Sequence, residues 1–158
     1  MASSSFPTRD AGAYRVFADF RPAGGTATTL ASDVLVGGRF APRPLPAPAT
    51  GVRVDGYDVT LRTTGATAGR EATLTYTVSR GGQPVAVQPY LGASGHLVAL
   101  RTGDLAYLHV HPLKGGADAG RIAFAATYLS AGRYRLFLQF RHEGRVHTAA
   151  LTQEVSTA

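Results

Sequence analysis

Ala131-Gly132-Arg133-Tyr134-Arg135-Leu136-Phe137-Leu138-Gln139-Phe140-Arg141 places Tyr134, Leu136, Leu138 and Phe140 at every second position. Successive side chains of a strand point to opposite faces, so these four line one apolar face of a half-buried β-strand. His142 ends that face, the Glu143-Gly144 turn follows, and a second strand runs over 145–155, which reads as a β-hairpin. The same pattern stands 120 residues earlier as Ala11-Gly12-Ala13-Tyr14-Arg15-Val16-Phe17-Ala18-Asp19-Phe20-Arg21, identical at seven of the eleven positions. It too passes through a turn, at Gly24, into a Thr- and Ala-rich strand. The chain therefore contains one hairpin twice.

The second copy closes a long strand-rich segment, whereas little precedes the first. This predicts that residues 1–37 are the terminal hairpin of a truncated upstream module. An isolated hairpin is marginal in water, so this one docks on the second domain, pairs with another chain as in a homodimer, or stays loose. Residues 38–50 follow as a semi-rigid linker, because Pro42, Pro44, Pro46 and Pro48 cannot join a ladder and favour an extended conformation. From about Val52, strands are expected over 52–63, 71–79, 85–90, 96–101, 107–111, 121–128, 133–142 and 145–155. Their spacing, with Gly-Gly, Gly-Asp and Glu-Gly breaks, is that of an antiparallel β-sandwich over 51–158. Ile122, Phe124, Ala126 and Tyr128 alternate, which makes 121–128 a strand despite its alanines. The 19 glycines, 9 prolines and lack of a 3.6-residue apolar period complete an all-β reading.

With no cysteine, and Met1 as the only methionine, disulfides, thiolate zinc sites, iron–sulfur ligation and the Cys-plus-Met copper site are excluded. A metal would have to sit on imidazole, carboxylate or backbone oxygen, which favours Zn(II), Cu(II) or Ni(II) over cuprous ion. The net charge of +6 comes almost wholly from arginines scattered singly along strands and turns, so no nucleic-acid partner is expected. No apolar run reaches the ~20 residues of a membrane span, and Met1 to Phe6 is no signal peptide.

The histidines become the candidate ligands. His109 and His111 are two apart in Tyr107-Leu108-His109-Val110-His111-Pro112, so a strand carries both imidazoles on one face. His96 opens the preceding strand. If the intervening loop has four residues, Arg101 pairs with Ala106, His96 stands opposite His111, and Val98 stands opposite His109. The three rings then share a face, with opposed Cβ atoms about 5 Å apart and each nitrogen able to reach one ion at about 2.0–2.1 Å. A five-residue loop turns His96 away. The alternative is that these histidines are buried among Leu97, Val98, Leu100, Leu108 and Val110 and bonded to backbone. His142 is a candidate fourth ligand, and with a two-residue turn His147 shares its face. Asp104 and Tyr107 stand behind the ligands, although Asp104 beside Gly103 also reads as a turn former.

Ala13 to Phe20, Gln88-Pro89-Tyr90-Leu91-Gly92-Ala93, Gly95 to Leu100, Leu105 to Pro112 and Tyr134 to Phe137 together resemble a family of actinobacterial secreted or membrane-anchored proteins labelled heavy-metal-binding or uncharacterised. The resemblance implies an immunoglobulin-like or cupredoxin-like antiparallel β-sandwich, with the extra N-terminal β-hairpin of this chain. It also implies an extracytoplasmic location and a complete upstream module with its own His-rich motif, which this chain lacks. Three functions compete. The first is a non-catalytic module using His96, His109, His111 and His142 to hold Cu(II) or Zn(II) for buffering, delivery or sensing. The second is a structural or interaction domain whose histidines are merely buried. The third is a cupin-like metalloenzyme, prompted by Gly103 followed by five residues and then His109-Val110-His111. Gly115 and Gly116 stand where a cupin carries a Glu, which weakens the enzyme reading. A His-x-His strand is also similar to copper–zinc superoxide dismutase, but the remaining ligands of that pattern are missing. Fold likeness does not carry chemistry.

Overall fold

A computed structural model describes residues 10–115 and 117–158. The chain divides into two compact units, with the boundary between Pro44 and Leu45, inside the proline-rich stretch. The first unit is the hairpin of β1 (Gly12–Phe20) and β2 (Thr28–Val36), paired from Gly12↔Val36 to Phe20↔Thr28. The extreme N-terminus, which the terminal-hairpin expectation includes, lies outside the described residues for positions 1–9.

The second unit is an all-β, antiparallel sandwich. Its strands are β3 (Gly51–Val54), β4 (Tyr57–Thr64), β5 (Glu71–Arg80), β6 (Gln83–Pro84), β7 (His96–Arg101), β8 (Tyr107–Leu108), β9 (Val110–Leu113), β10 (Arg121–Thr127), β11 (Gly132–His142) and β12 (Arg145–Val155). One sheet runs β3-β4-β5-β10-β9, with β6 attached to β5; the other runs β12-β11-β7-β8. A hydrogen bond from Ala49 N–H to the Thr152 carbonyl, 3.0 Å, ties the chain entering β3 to β12 in the facing sheet.

The alternation that defines β11 is met by a matching alternation across the sandwich. Tyr134, Leu136, Leu138 and Phe140 are buried in one core with Val59, Leu61, Leu74, Tyr76, Ile122 and Phe124 from the other sheet. Each fully buried aliphatic or aromatic side chain contributes roughly 1.5–3 kcal/mol through removal of its apolar surface from water. Turn chemistry fixes register. Asp55-Gly56, Gly81-Gly82 and Glu143-Gly144 each join paired residues with both central φ angles positive, the type I′ geometry that suits the strand twist.

Residues 85–90, expected as a strand, form an irregular connection held by single bridges of Gln88 to Arg141 and Tyr90 to Ala93. Pro84 and Pro89 lack the N–H that a continuing ladder requires.

Candidate functional site

Of the two loop lengths that decide the histidine geometry, the structure has the four-residue one. Arg101 N–H bonds the Ala106 carbonyl at 2.9 Å, and Leu100 pairs with Tyr107 and Ala99 with Leu108. Asp104 holds the turn: it accepts from Ala106 N–H at 3.1 Å and takes a two-pronged ion pair from the Arg101 guanidinium. Those bonds to its charged form hold the Asp104 carboxyl well below the usual carboxylate range.

Beyond Leu108 the ladder stops, because the chain changes sheets. His109 sits between strands, and β9 pairs instead with β10, setting His111 opposite Ala125 and Val110 opposite Ala126. The reason lies in the core. Leu108 is buried on β8, while Val110, one step past His109, packs against the same core from the other sheet. A chain that fills both sheets' edges in five residues has to cross at His109. His111 therefore lies on the outer face of the larger sheet. His96, the first residue of β7, pairs with Gln139 of β11; with Leu97 facing the core, it lies on the outer face of the opposite sheet. The structure brings His109 and His111 together and leaves His96 apart from them.

The pair is close. The two rings stand 4.9 Å apart, nearly edge-to-face, and both residues are exposed. They share a hollow of about 300 Å³ with Glu71, Tyr107, Ala125 and Thr127. The sheet register explains the carboxylate's presence. Glu71 pairs with Thr127 on β10, one same-face step from the Ala125 that opposes His111. The methyl of Ala125 leaves the floor low between them. Glu71 carries no chemical motif in the sequence; only the β5–β10 register brings it near the imidazoles. Among the described residues, no group of three or more His, Asp or Glu side chains is placed to hold one metal ion.

His142 belongs to a different cluster, at the end of the sandwich where the three type I′ turns converge. His142 Nδ1 is 2.7 Å from the Tyr57 hydroxyl, and His147, opposite Phe140, is buried with Nδ1 2.8 Å from Asp55 Oδ2. His142 and His147 do share a face across the two-residue turn. Between them stands Tyr57, with ring centroids 5.6 and 4.7 Å from theirs. Arg80 lies over the Tyr57 ring at 5.0 Å and pairs with Glu143 at 3.2 Å. The Tyr57 hydroxyl and both histidine Nδ1 atoms have partners, and the Tyr57 and His147 rings pack on Phe140. This arrangement braces the hairpin end.

The fold and these residues define a small antiparallel β-sandwich domain with a paired-imidazole surface site. A family model described as a domain of unknown function, DUF8832, matches residues 52–157, and the chain belongs to that family. No curated protein matches the sequence. Among solved structures the chain is similar to a DUF4426 family protein from Pseudomonas aeruginosa, at 13% identity and TM-score 0.48, covering 68% of this chain and 97% of that one. It is also similar to the Lin-41 filamin domain, at 12% identity and TM-score 0.41, covering 72% of this chain and 98% of that one.

Proposed function

We propose that the Leu45–Ala158 domain is a non-catalytic, extracytoplasmic metal-binding module in which His109 and His111 hold a divalent transition-metal ion, Cu(II) or Zn(II), for buffering, delivery or sensing. The observation that carries this reading is the 4.9 Å separation of two exposed imidazole rings at the strand crossover. Imidazole is a ligand of choice for both ions, and at equal ligation Cu(II) binds more tightly than Zn(II). Two protein ligands leave coordination positions open to water or to a donor from another molecule. Such a site exchanges its ion readily, unlike a closed four-ligand structural site. His96 and His142 take no part.

The test is calorimetric titration with Cu(II) and Zn(II), together with melting curves, on the parent, on His109→Ala/His111→Ala and on His96→Ala. Ligand bound only to the native state stabilises it by about 2.7 kcal/mol at a hundredfold excess over Kd. The parent and His96→Ala are expected to bind and shift equally, and the double variant to do neither. Equal shifts in the double variant would overturn the reading.

The hairpin favours a second reading, that of an interaction module. Phe20, Leu30 and Val34 are 44%, 57% and 43% exposed on one face of β1–β2, whereas Phe140, Leu136 and Leu138 on the corresponding strand of the sandwich are 0% exposed. An apolar strand face with two free edges pairs with another chain. On this reading the parent sediments as a concentration-dependent dimer, and Phe20→Glu/Leu30→Glu as a monomer with unchanged metal titration.

A further inference from the structure

The outer face of the larger sheet also carries, apart from the histidine hollow, a broad, shallow depression of about 840 Å³, bordered by Arg62 and Arg121 and floored by threonines. Register lays it out in rows. Thr60, Thr77 and Arg121 stand side by side across β4, β5 and β10; in the next row come Arg62, Thr75 and Ala123. The two arginine Cα positions are thus two strand spacings and one same-face step apart, about 12 Å in all.

None of Arg62, Arg121, Thr60, Thr75 or Thr77 makes a side-chain hydrogen bond or ion pair among the described residues. The outer face of the other sheet handles the same residue types differently. There Arg133 is paired with Glu154 at 3.0 Å, and Arg135 donates to the Thr152 hydroxyl at 3.0 Å and lies over the Phe137 ring. That face pairs Arg133 and Arg135 and leaves only Arg141, at the end of β11, without a side-chain partner among the described residues, whereas the larger sheet leaves two guanidinia and three hydroxyls uncommitted together in a single depression. Neither row holds a carboxylate: Asp58, in the row beyond Thr60, is turned to Arg53 at 3.7 Å, and Glu71 lies at the far end of the face.

We infer that this face binds an extended acidic polysaccharide, with Arg62 and Arg121 on its carboxylates or sulfates and the threonine hydroxyls on its sugar hydroxyls. Guanidinium matches either anion with paired N–H donors, and a threonine hydroxyl both donates and accepts. The depression is too open to enclose a lone small anion, so several contacts along a polymer are required. The rows carry no aromatic side chain on which a nucleobase could stack, which disfavours single-stranded nucleic acid. The inference is independent of the metal reading, because its residues lie in different rows from His109 and His111.

The experiment measures binding of polygalacturonate, dextran sulfate, neutral dextran and single-stranded DNA by interferometry at low and high salt. It compares the parent with Arg62→Ala/Arg121→Ala, and with Arg141→Ala/Arg145→Ala as a charge-matched control. The parent and the control are expected to bind one or both acidic polymers, uronate and sulfate arms distinguishing the anion, with no uptake of neutral dextran. Arg62→Ala/Arg121→Ala is expected to weaken that binding by at least about tenfold, as loss of charge-assisted hydrogen bonds requires. All four arginines are exposed, and melting curves verify that each variant folds. Equal weakening in the control, DNA bound as tightly as the polysaccharides, or no binding by the parent overturns the inference.

Discussion

Tyr14 and Tyr134 make the same hydrogen bond in two places: each phenol donates to the carbonyl oxygen four residues upstream, Tyr14 to Asp10 at 2.7 Å and Tyr134 to Ser130 at 3.0 Å. Such a tyrosine corner, tying the start of a strand to the turn before it, is a device of β-sandwiches. The outward face repeats as well, with Arg15 over Phe17 at 6.0 Å and Arg135 over Phe137 at 5.7 Å. The repeat therefore reaches local bonding, and hairpin β1–β2 carries the fittings of a strand pair built to close a sandwich. Tyr134→Phe keeps the packing on Tyr128 and removes the bond to the Ser130 carbonyl together with the longer 3.3 Å contact to the Ser130 hydroxyl. It is expected to destabilise the sandwich by about 1 kcal/mol, read as a lower urea midpoint at unchanged slope.

Gly120 is held where no other residue fits. Its φ is +66°, and a Cβ there would stand 2.4 Å from the Val78 carbonyl oxygen and 2.8 Å from that of Val85. Both contacts are backbone, and Gly120 itself accepts from Val78 N–H at 2.8 Å, so neither side can yield. Gly120→Ala is expected to cost more than about 2 kcal/mol, combining left-handed strain with displacement of β5. Urea unfolding measures it; an effect near that of an exposed glycine such as Gly144 would refute the clash.

How much of this was legible before the structure depends on whether local or tertiary forces decided it. The alternation at Tyr134–Phe140 and the Glu143-Gly144 turn are local, and β11 and β12 follow them closely. The four-residue loop after Arg101 is also local and occurs as its turn residues require. The sheet change at His109 is tertiary: it depends on Leu108 and Val110 entering one core from two sheets, and no spacing rule shows that. That crossover separates His96 from His111 although the loop length permits their pairing. His109 and His111 stay neighbours because a step of two outlasts the crossover. Glu71 comes beside the two histidines, and Arg62 onto one face with Arg121, only through β4–β5–β10 register.

Asp104 makes the turn sensitive to acid. Its folded carboxyl titrates below the ordinary value of ~3.9, chiefly through the Arg101 bonds and then Ala106 N–H. A depressed folded pKa contributes stability that is fully present above the unfolded value and is lost as pH falls through the folded one. The melting temperature of the parent should exceed that of Asp104→Asn by a constant margin above about pH 5, and the margin should shrink steadily as pH is lowered toward 2. A margin independent of pH would remove the ionised carboxylate from the explanation.

Asp55 carries two separable roles, which three substitutions resolve. It occupies a left-handed position, φ 50°, in the Asp55-Gly56 turn, and its carboxylate meets buried His147 Nδ1 at 2.8 Å. Asparagine tolerates the left-handed region and offers an amide oxygen to Nδ1–H, so Asp55→Asn should be nearly neutral. Glycine relieves the backbone but leaves the ring nitrogen unpartnered, which costs about 1–3 kcal/mol. Alanine adds left-handed strain of order 1 kcal/mol to that loss. Urea midpoints should therefore fall in the order Asn, Gly, Ala. Glycine matching the parent would show that the His147 contact is idle, and alanine matching glycine would show that the turn bears no strain.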